Sequence, residues 1–168
     1  MHVAAKHSGV VAFTIRQAQT TEALALVGGL IHQYAVWRGF DVAMGDIERE
    51  IKTLPGAFGP PGGVLLLALV NEETACGCAA FQRLDDMRCE MKRMFVPADW
   101  QGLGIGRALG DKLLQYAGEM GYEEMVLDTH PHMEAAHRLY DSLGFRPISR
   151  YNQNPTPGIR YMGRRLGI

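Results

Sequence analysis

Apolar side chains recur along this chain with two different periods, and each change of period marks an element. Val10 to Ile15 is a β-branched run that predicts a first strand. Leu24, Val27, Leu30, Ile31 and Tyr34 then fall three and four apart, the repeat of a helix with one buried face. Thr20-Thr21-Glu22 supplies its cap and Gly39 its stop. Ile47, Ile51 and Leu54 predict a second, short helix from Asp46, ended by Pro55-Gly56. After the irregular Gly59 to Gly63 segment, Val64 to Val70 shows no alternation, which predicts a strand buried on both faces. Asn71 to Thr74 turns the chain, and Ala75 to Phe81 returns it as a hairpin. A polar loop, Gln82 to Arg88, leads into the next strand, where alternation puts Glu90, Lys92, Met94 and Val96 on one face.

Beyond that strand the helical period returns with Ile105, Leu109, Leu113, Tyr116 and Met120, and Gly121 stops it. Glu124 to Asp128 reads as another short buried strand and Thr129 to His132 as a loop. Met133 to Leu143 predicts a helix with Met133, Ala136, Tyr140 and Leu143 inward and His137 toward solvent, closed by Gly144. The tail, Tyr151 to Pro155 and then Arg160-Tyr161-Met162, offers a last antiparallel pair. Strand, helix and strand at this spacing imply a right-handed parallel crossover, so the sheet is mixed. The expectation is an α/β (α+β) fold, a sheet of about six to seven strands with helices on both faces.

Chemistry is concentrated between the Met94–Val96 run and the following helix, in Gln101-Gly-Leu-Gly104-Ile-Gly106-Arg107. Glycines let backbone approach a ligand, and the first N–H groups of a helix have no partner of their own. The helix dipole adds positive potential there, so a phosphate-bearing ligand suits the site. A dinucleotide fingerprint would need Gly-x-Gly-x-x-Gly directly after its strand, whereas Gly110 follows Gly106 one residue late and Pro97 to Trp100 intervene. Asp128 imitates the ribose-binding acid of such a fold, but the chain has no room for the remaining strands. A triphosphate loop would need Gly-Lys-Ser/Thr, which Gly110-Asp111-Lys112 does not supply.

The whole chain narrows the field further. Its 168 residues suit one domain, here residues 1–168, with no repeat or linker. Near-neutral balance, 17 basic against 18 acidic side chains, argues against a nucleic-acid partner. No apolar run approaches a membrane span, and the N-terminal residues carry no secretory pattern. Three cysteines fit a reducing cytoplasm better than a disulfide framework, and Cys76 and Cys78 lack the neighbours a metal site needs, so no metal is expected.

The spacing Gln101-x-x-Gly104-x-Gly106 resembles the acyl-CoA-binding motif of the GCN5-related N-acetyltransferases (GNAT). A second stretch, Ala136-His-Arg-Leu-Tyr140-Asp-Ser-Leu-Gly144-Phe145, is similar to the family's Ala-x-x-Leu-Tyr-x-x-x-Gly-Phe segment, and the order of elements agrees over nearly the whole chain. One departure is Met133, where many members carry asparagine. The resemblance implies acetyl-CoA (coenzyme A) as cofactor, its pyrophosphate on the amides of Gly102, Leu103, Gly104, Ile105, Gly106 and Arg107 behind Gln101. It implies that the pantetheine arm runs along Met94, Phe95 and Val96, where this strand splays from its neighbour and a backbone N–H stabilises the oxyanion. It also admits a homodimer, with no patch of sequence assigned to the interface.

Under that resemblance, Tyr140 stands where the family keeps the acid that protonates the leaving thiolate. Glu90, at the offset of the strand glutamate of histone-type members, is a candidate general base, with a pKa raised by partial desolvation. Lys92 could instead neutralise it. His130 is the alternative, His132 a weaker one, and an ordered water chain a third route. Acceptor contacts are expected from Tyr34, Trp37, Phe40, the loop near Phe58, Asp85 to Arg88 and the Tyr151–Pro155 turn. The preferred function is direct transfer of acetyl to a primary amine of a small molecule or amino-acid derivative. A protein amine, a non-catalytic acyl-CoA sensor and a nicotinamide enzyme are the competing readings.

Overall fold

The computed structural model describes residues 11–39 and 44–167. A seven-stranded sheet in the order β1-β2-β3-β4-β5-β7-β6 forms its centre. β1 (Phe13–Gln17), β2 (Val64–Val70), β3 (Thr74–Arg83) and β4 (Arg88–Phe95) follow one another, each antiparallel to the next. β5 (Glu124–Thr129) joins β4 in parallel, and β7 (Arg160–Arg165) runs antiparallel to both β5 and β6 (Arg146–Pro147). The predicted crossover is α3 (Ile105–Glu119), which returns the chain from β4 to β5. The predicted partner of Arg160-Tyr161-Met162 is different: Tyr151 to Pro155 stays irregular, and β7 pairs with β5 and with the very short β6.

Each sheet face builds its own core. α1 (Thr21–Arg38) and α2 (Met44–Lys52) cover one face, where Val27, Leu30, Ile31 and Ile47 meet Leu65, Leu67, Cys78 and Ala80. α3 and α4 (Glu134–Ser142) cover the other, where Ile105, Leu109, Leu113, Tyr140 and Leu143 meet Leu66, Ala79, Phe81 and Leu127. β2 serves both, and every one of its residues is buried, which explains its unbroken apolar run. α1 starts at Thr20, whose Oγ1 accepts from the Ala23 amide at 3.1 Å, and stops at Gly39 with φ 72°.

Several boundaries differ from the sequence reading. β1 lies two or three residues later, because its register is set by pairing Gln17 with Leu66 and Phe13 with Val70. Val10 and Phe40 lie outside the described residues. β3 runs on to Arg83, and the expected polar loop shrinks to a tight turn in which Asp85 Oδ1 accepts from the amides of Met87 and Arg88. His137 is a correction: it is buried, 7% exposed, with Nε2 in no hydrogen bond among the described residues. Phe58 is likewise core, packed with α1 and α2 rather than lining a site. No helix among the described residues is long and apolar enough to cross a membrane.

Candidate active site

β4 and β5 stop pairing early. Their register runs from Arg88↔Glu124 only to Glu90↔Val126, while β4 continues to Phe95 and β5 to Thr129. A wedge therefore opens between the two strands. β4 carries a bulge against β3: Ala80 pairs with Lys92 and Cys78 with Phe95, so two residues of β4, Arg93 and Met94, oppose one of β3, Ala79. Arg93 occupies the bulge at φ 58°, outside the ordinary region for a residue with a Cβ.

The bulge overturns the expected alternation. Glu90 and Lys92 share a face with Phe95, whereas Met94 and Val96 pass to the opposite side and pack with the α3 core. An inserted residue exchanges the faces of everything after it. Three contacts hold the distortion in place. Arg93 Nε and Nη2 donate to the Glu50 carboxylate of α2 at 2.7 and 2.8 Å, Cys78 Sγ lies 3.3 Å from the Arg93 carbonyl, and the Tyr34 ring of α1 packs on Phe95 at 5.4 Å. Burial alone would lower the Arg93 pKa, but the Glu50 contacts outweigh it and the guanidinium is held above its usual value.

Beside the wedge lies the glycine loop. Gly102 and Gly104 have φ of 78° and 83°, and a Cβ at either would meet nothing within 4 Å among the described residues, so the outer side of the loop is open to them. Gly104 is the N-cap of α3 and offers no side-chain cap; the helix ladder opens with the Ala108 amide donating to Gly104 O. The amides of Ile105, Gly106 and Arg107 precede that bond and have no carbonyl of their own helix to meet. Gly106 serves packing, since a Cβ there would come within 3.2 Å of Leu139. Gly77 of β3 does the same under the first turn, facing Ile105 and Leu109 at 3.1 Å each. Gln101, though exposed, turns back on the chain, its Nε2 donating to Val96 O at 2.9 Å, and so braces the loop against the strand. Arg107 pairs with Asp111 one turn on, at 3.3 Å. A phosphate group suits this start of α3, where the chain leaves amide hydrogens, positive potential and room together.

The residues expected to do chemistry are placed unequally. Tyr140 of α4 is buried in the core under α3, and burial pushes its hydroxyl pKa well up, with Tyr34 and Asp128 adding to the effect. Glu90 is only 4% exposed, and both its oxygens are engaged. Tyr151 Oη donates to Oε2 at 2.6 Å, Gln82 Nε2 donates to Oε1 at 3.1 Å, and Lys92 Nζ stands 3.6 Å away. The Tyr151 hydroxyl is pushed up by burial and by that carboxylate. His130 follows β5, half-buried, its pKa lowered by burial and by the Arg38 guanidinium, with Asp128 opposing. His132 is exposed and Met133, the N-cap of α4, provides no side-chain bond.

Of the expected acceptor elements, Tyr34 and the Tyr151 turn reach the wedge. Trp37 touches Tyr34 but is 66% exposed. Asp85 to Arg88 does not: it begins β4, at the end where that strand still pairs with β5, and lines an open hollow of about 470 Å³ with Glu123, Glu124 and Arg165. The wedge also gains a polar network that ties Asp128, read from the sequence only as an imitation of a ribose-binding acid, to the Tyr151–Pro155 turn. Asp128 accepts from Asn152 Nδ2 at 2.7 Å and Asn154 Nδ2 at 3.2 Å, and Tyr161 Oη donates to Asn152 Oδ1 at 2.9 Å. The Asn-x-Asn spacing before Pro155 was the available signal, since such residues fix turns through their side chains. Cys76, Cys78 and Cys89 are buried and free, their thiols pushed up to about 11, 12 and 12 by burial.

Comparison with known proteins follows the same line. The model of the acetyltransferase (GNAT) family matches residues 32–145. An uncharacterized N-acetyltransferase of Schizosaccharomyces pombe is 36% identical over 134 residues, covering 79% of this chain and 82% of its own. Human N-acetylaspartate synthetase is 36% identical over 116 residues, covering 69% of this chain and 36% of that longer protein. Among solved structures, an acetyltransferase from Salmonella typhimurium with acetyl-CoA bound superposes with a TM-score of 0.64 at 25% identity, over 93% of this chain and 95% of its own.

Proposed function

The chain belongs to the GNAT acetyltransferase family and takes acetyl-CoA as its donor, and on that premise we propose that it acetylates the primary amine of a small molecule or amino-acid derivative by direct transfer. The observation that carries this reading is the parting of β4 and β5 beyond Glu90↔Val126, beside an uncapped helix start. Beyond that last rung Lys92 to Phe95 have no partner on β5, an amide near Met94 or Phe95 is in this reading the oxyanion donor, and the Gly102 to Arg107 amides can take the diphosphate. Bound there, acetyl-CoA supplies an activated acetyl group.

Proton handling falls to Tyr140 and His130. An alkyl ammonium has a pKa of about 10 and must lose a proton before it attacks. His130, kept neutral at pH 7 by its lowered pKa, is the proton acceptor in this reading. Tyr140 keeps its proton through burial and gives it to the leaving thiolate. Glu90, engaged by Tyr151, Gln82 and Lys92, holds the C-terminal turn against β4 rather than acting as base. Direct transfer is supported by the cysteines, since each buried thiol is protonated at neutral pH and none is a ready acyl carrier. A relative that makes N-acetylaspartate supports an amino-acid-like acceptor. Thiol release from acetyl-CoA over a panel of amines and amino acids tests the proposal. Saturable CoA binding with no release for any of them would favour a non-catalytic module.

A further inference from the structure

Asp128 is the acid that the mechanism above leaves without a task. It stands two residues beyond Val126, the last residue of β5 paired with β4, and so at the point where the strands have separated. Alternation puts it on the side of the sheet that carries Glu90, toward α1, with Tyr161 as its partner across β7. Both amides that reach it, from Asn152 and Asn154, bond to the same oxygen, Oδ2. Those amides are fixed in turn: the Asn154 backbone N–H donates to Asn152 Oδ1 at 3.1 Å, and the Thr156 N–H to Asn154 Oδ1 at 3.0 Å. Among the described residues no donor meets Oδ1 and no cation pairs with the carboxylate. The contrast with its neighbours is plain, because Glu90 has Lys92 and Glu50 has Arg93. One oxygen is anchored, and the other keeps its lone pairs unused among the described residues.

We propose that Asp128 Oδ1 is the site that receives the acceptor's ammonium group, which makes the natural acceptor a cationic amine; this assignment rests on the amine-acetylation reading above. A half-buried carboxylate already oriented by two amides gains a charge-assisted bond without reordering. Its field reaches the groups that surround the reaction, for it acts on Tyr34, His130, Tyr140 and Tyr151 alike. From Asp128 the ammonium proton has His130 within the same patch, two positions along the chain.

The test uses the full chain, with thiol release and calorimetric amine binding in the presence of CoA. Asp128→Asn keeps the shape and an oxygen for the two asparagines but removes the charge. A charge-assisted hydrogen bond is worth enough to raise KM for alkylamines by roughly 10- to 100-fold, with acetyl-CoA binding unchanged and little change for aniline, which is uncharged at neutral pH. An equal KM for the alkylamine, or an equal loss with aniline, overturns the assignment. Should Asp128→Asn fail to fold, Asn154→Ala keeps the charge and loosens its anchor. That variant must raise KM for the alkylamine selectively, and an unchanged KM overturns the proposal. A wild-type chain that binds CoA yet neither binds nor acetylates any amine defeats the functional reading itself.

Discussion

Replacing Glu50 by alanine should both destabilise the fold and slow the reaction, although Glu50 lies on α2 and touches no reacting atom. It removes the partner of Arg93, whose guanidinium is tied at 2.7 and 2.8 Å and whose backbone sits at φ 58° in the β4 bulge. The pair keeps 22% and 26% of its side-chain surface in water. Its loss should therefore fall between the under about 1 kcal/mol of an exposed pair and the roughly 3–5 kcal/mol of a severed buried one, near about 2 kcal/mol. For a domain of this size that predicts a melting temperature lower by about 4–8 °C. On the proposal that the bulged segment supplies the oxyanion-binding amide near Met94 or Phe95, a displacement of under an ångström should lower kcat by about 10- to 100-fold, with a smaller effect on acetyl-CoA binding. Adding Arg93→Gly removes both the stranded charge and the left-handed strain, worth about 1–2 kcal/mol, and should restore much of the melting temperature. Thermal unfolding and initial-rate thiol release measure both effects. A Glu50→Ala protein that melts within about 1 °C of wild type and turns over normally would refute the reasoning.

Further outcomes follow from other contacts. Gly104→Ala forces a Cβ into φ 83° and should cost about 1 kcal/mol while weakening CoA binding by calorimetry; unchanged affinity would remove the helix start from the site. Tyr140→Phe keeps the buried ring but not the proton, and should reduce kcat by about 100-fold or more with acetyl-CoA binding intact. His130 should titrate below 6.5 by NMR, and Arg38→Gln should move that pKa upward, since Arg38 helps depress it. With the folded pKa depressed, the stability contributed by neutral His130 is fully present above 6.5 and is lost as pH falls through the folded value. The native chain should resist thiol reagents at pH 8, where its buried cysteines with pKa of about 11 to 12 stay protonated, whereas the denatured chain reacts at all three.

What the sequence disclosed depended on whether the physics was local. β2 announced itself by an unbroken apolar run because it is covered on both faces. The start of α3 was legible because Gly102 and Gly104 are the residues a left-handed turn requires. The Arg93 bulge was not, because arginine carries no signal for positive φ and is held there by Glu50, 43 positions away. Reading strict alternation across it misplaced Met94 and Val96. The place of Asp128 beside the wedge was hidden for a related reason. Its partners Asn152 and Asn154 arrive only through the antiparallel pairing of β7 with β5, which no local window contains. The Asp85 to Arg88 loop was assigned to the wrong end of β4, since composition offers aromatics and acids without direction. His137 differs because one polar residue in a short amphipathic helix does not reveal from sequence that it is buried.

The short seam between β4 and β5 has a consequence for how the molecule comes apart. Two half-sheets, β1 to β4 and β5-β7-β6, share only the rungs from Arg88↔Glu124 to Glu90↔Val126. Local opening is cheapest where rungs are missing, so amide exchange in Lys92 to Phe95 should run ahead of β2 in the free chain. A donor whose amide-bearing arm lies along that vacant edge would act as a removable rung. Loading should then slow exchange at the β4 terminus while leaving β2 as it was, making the donor a temporary part of the scaffold that uses it.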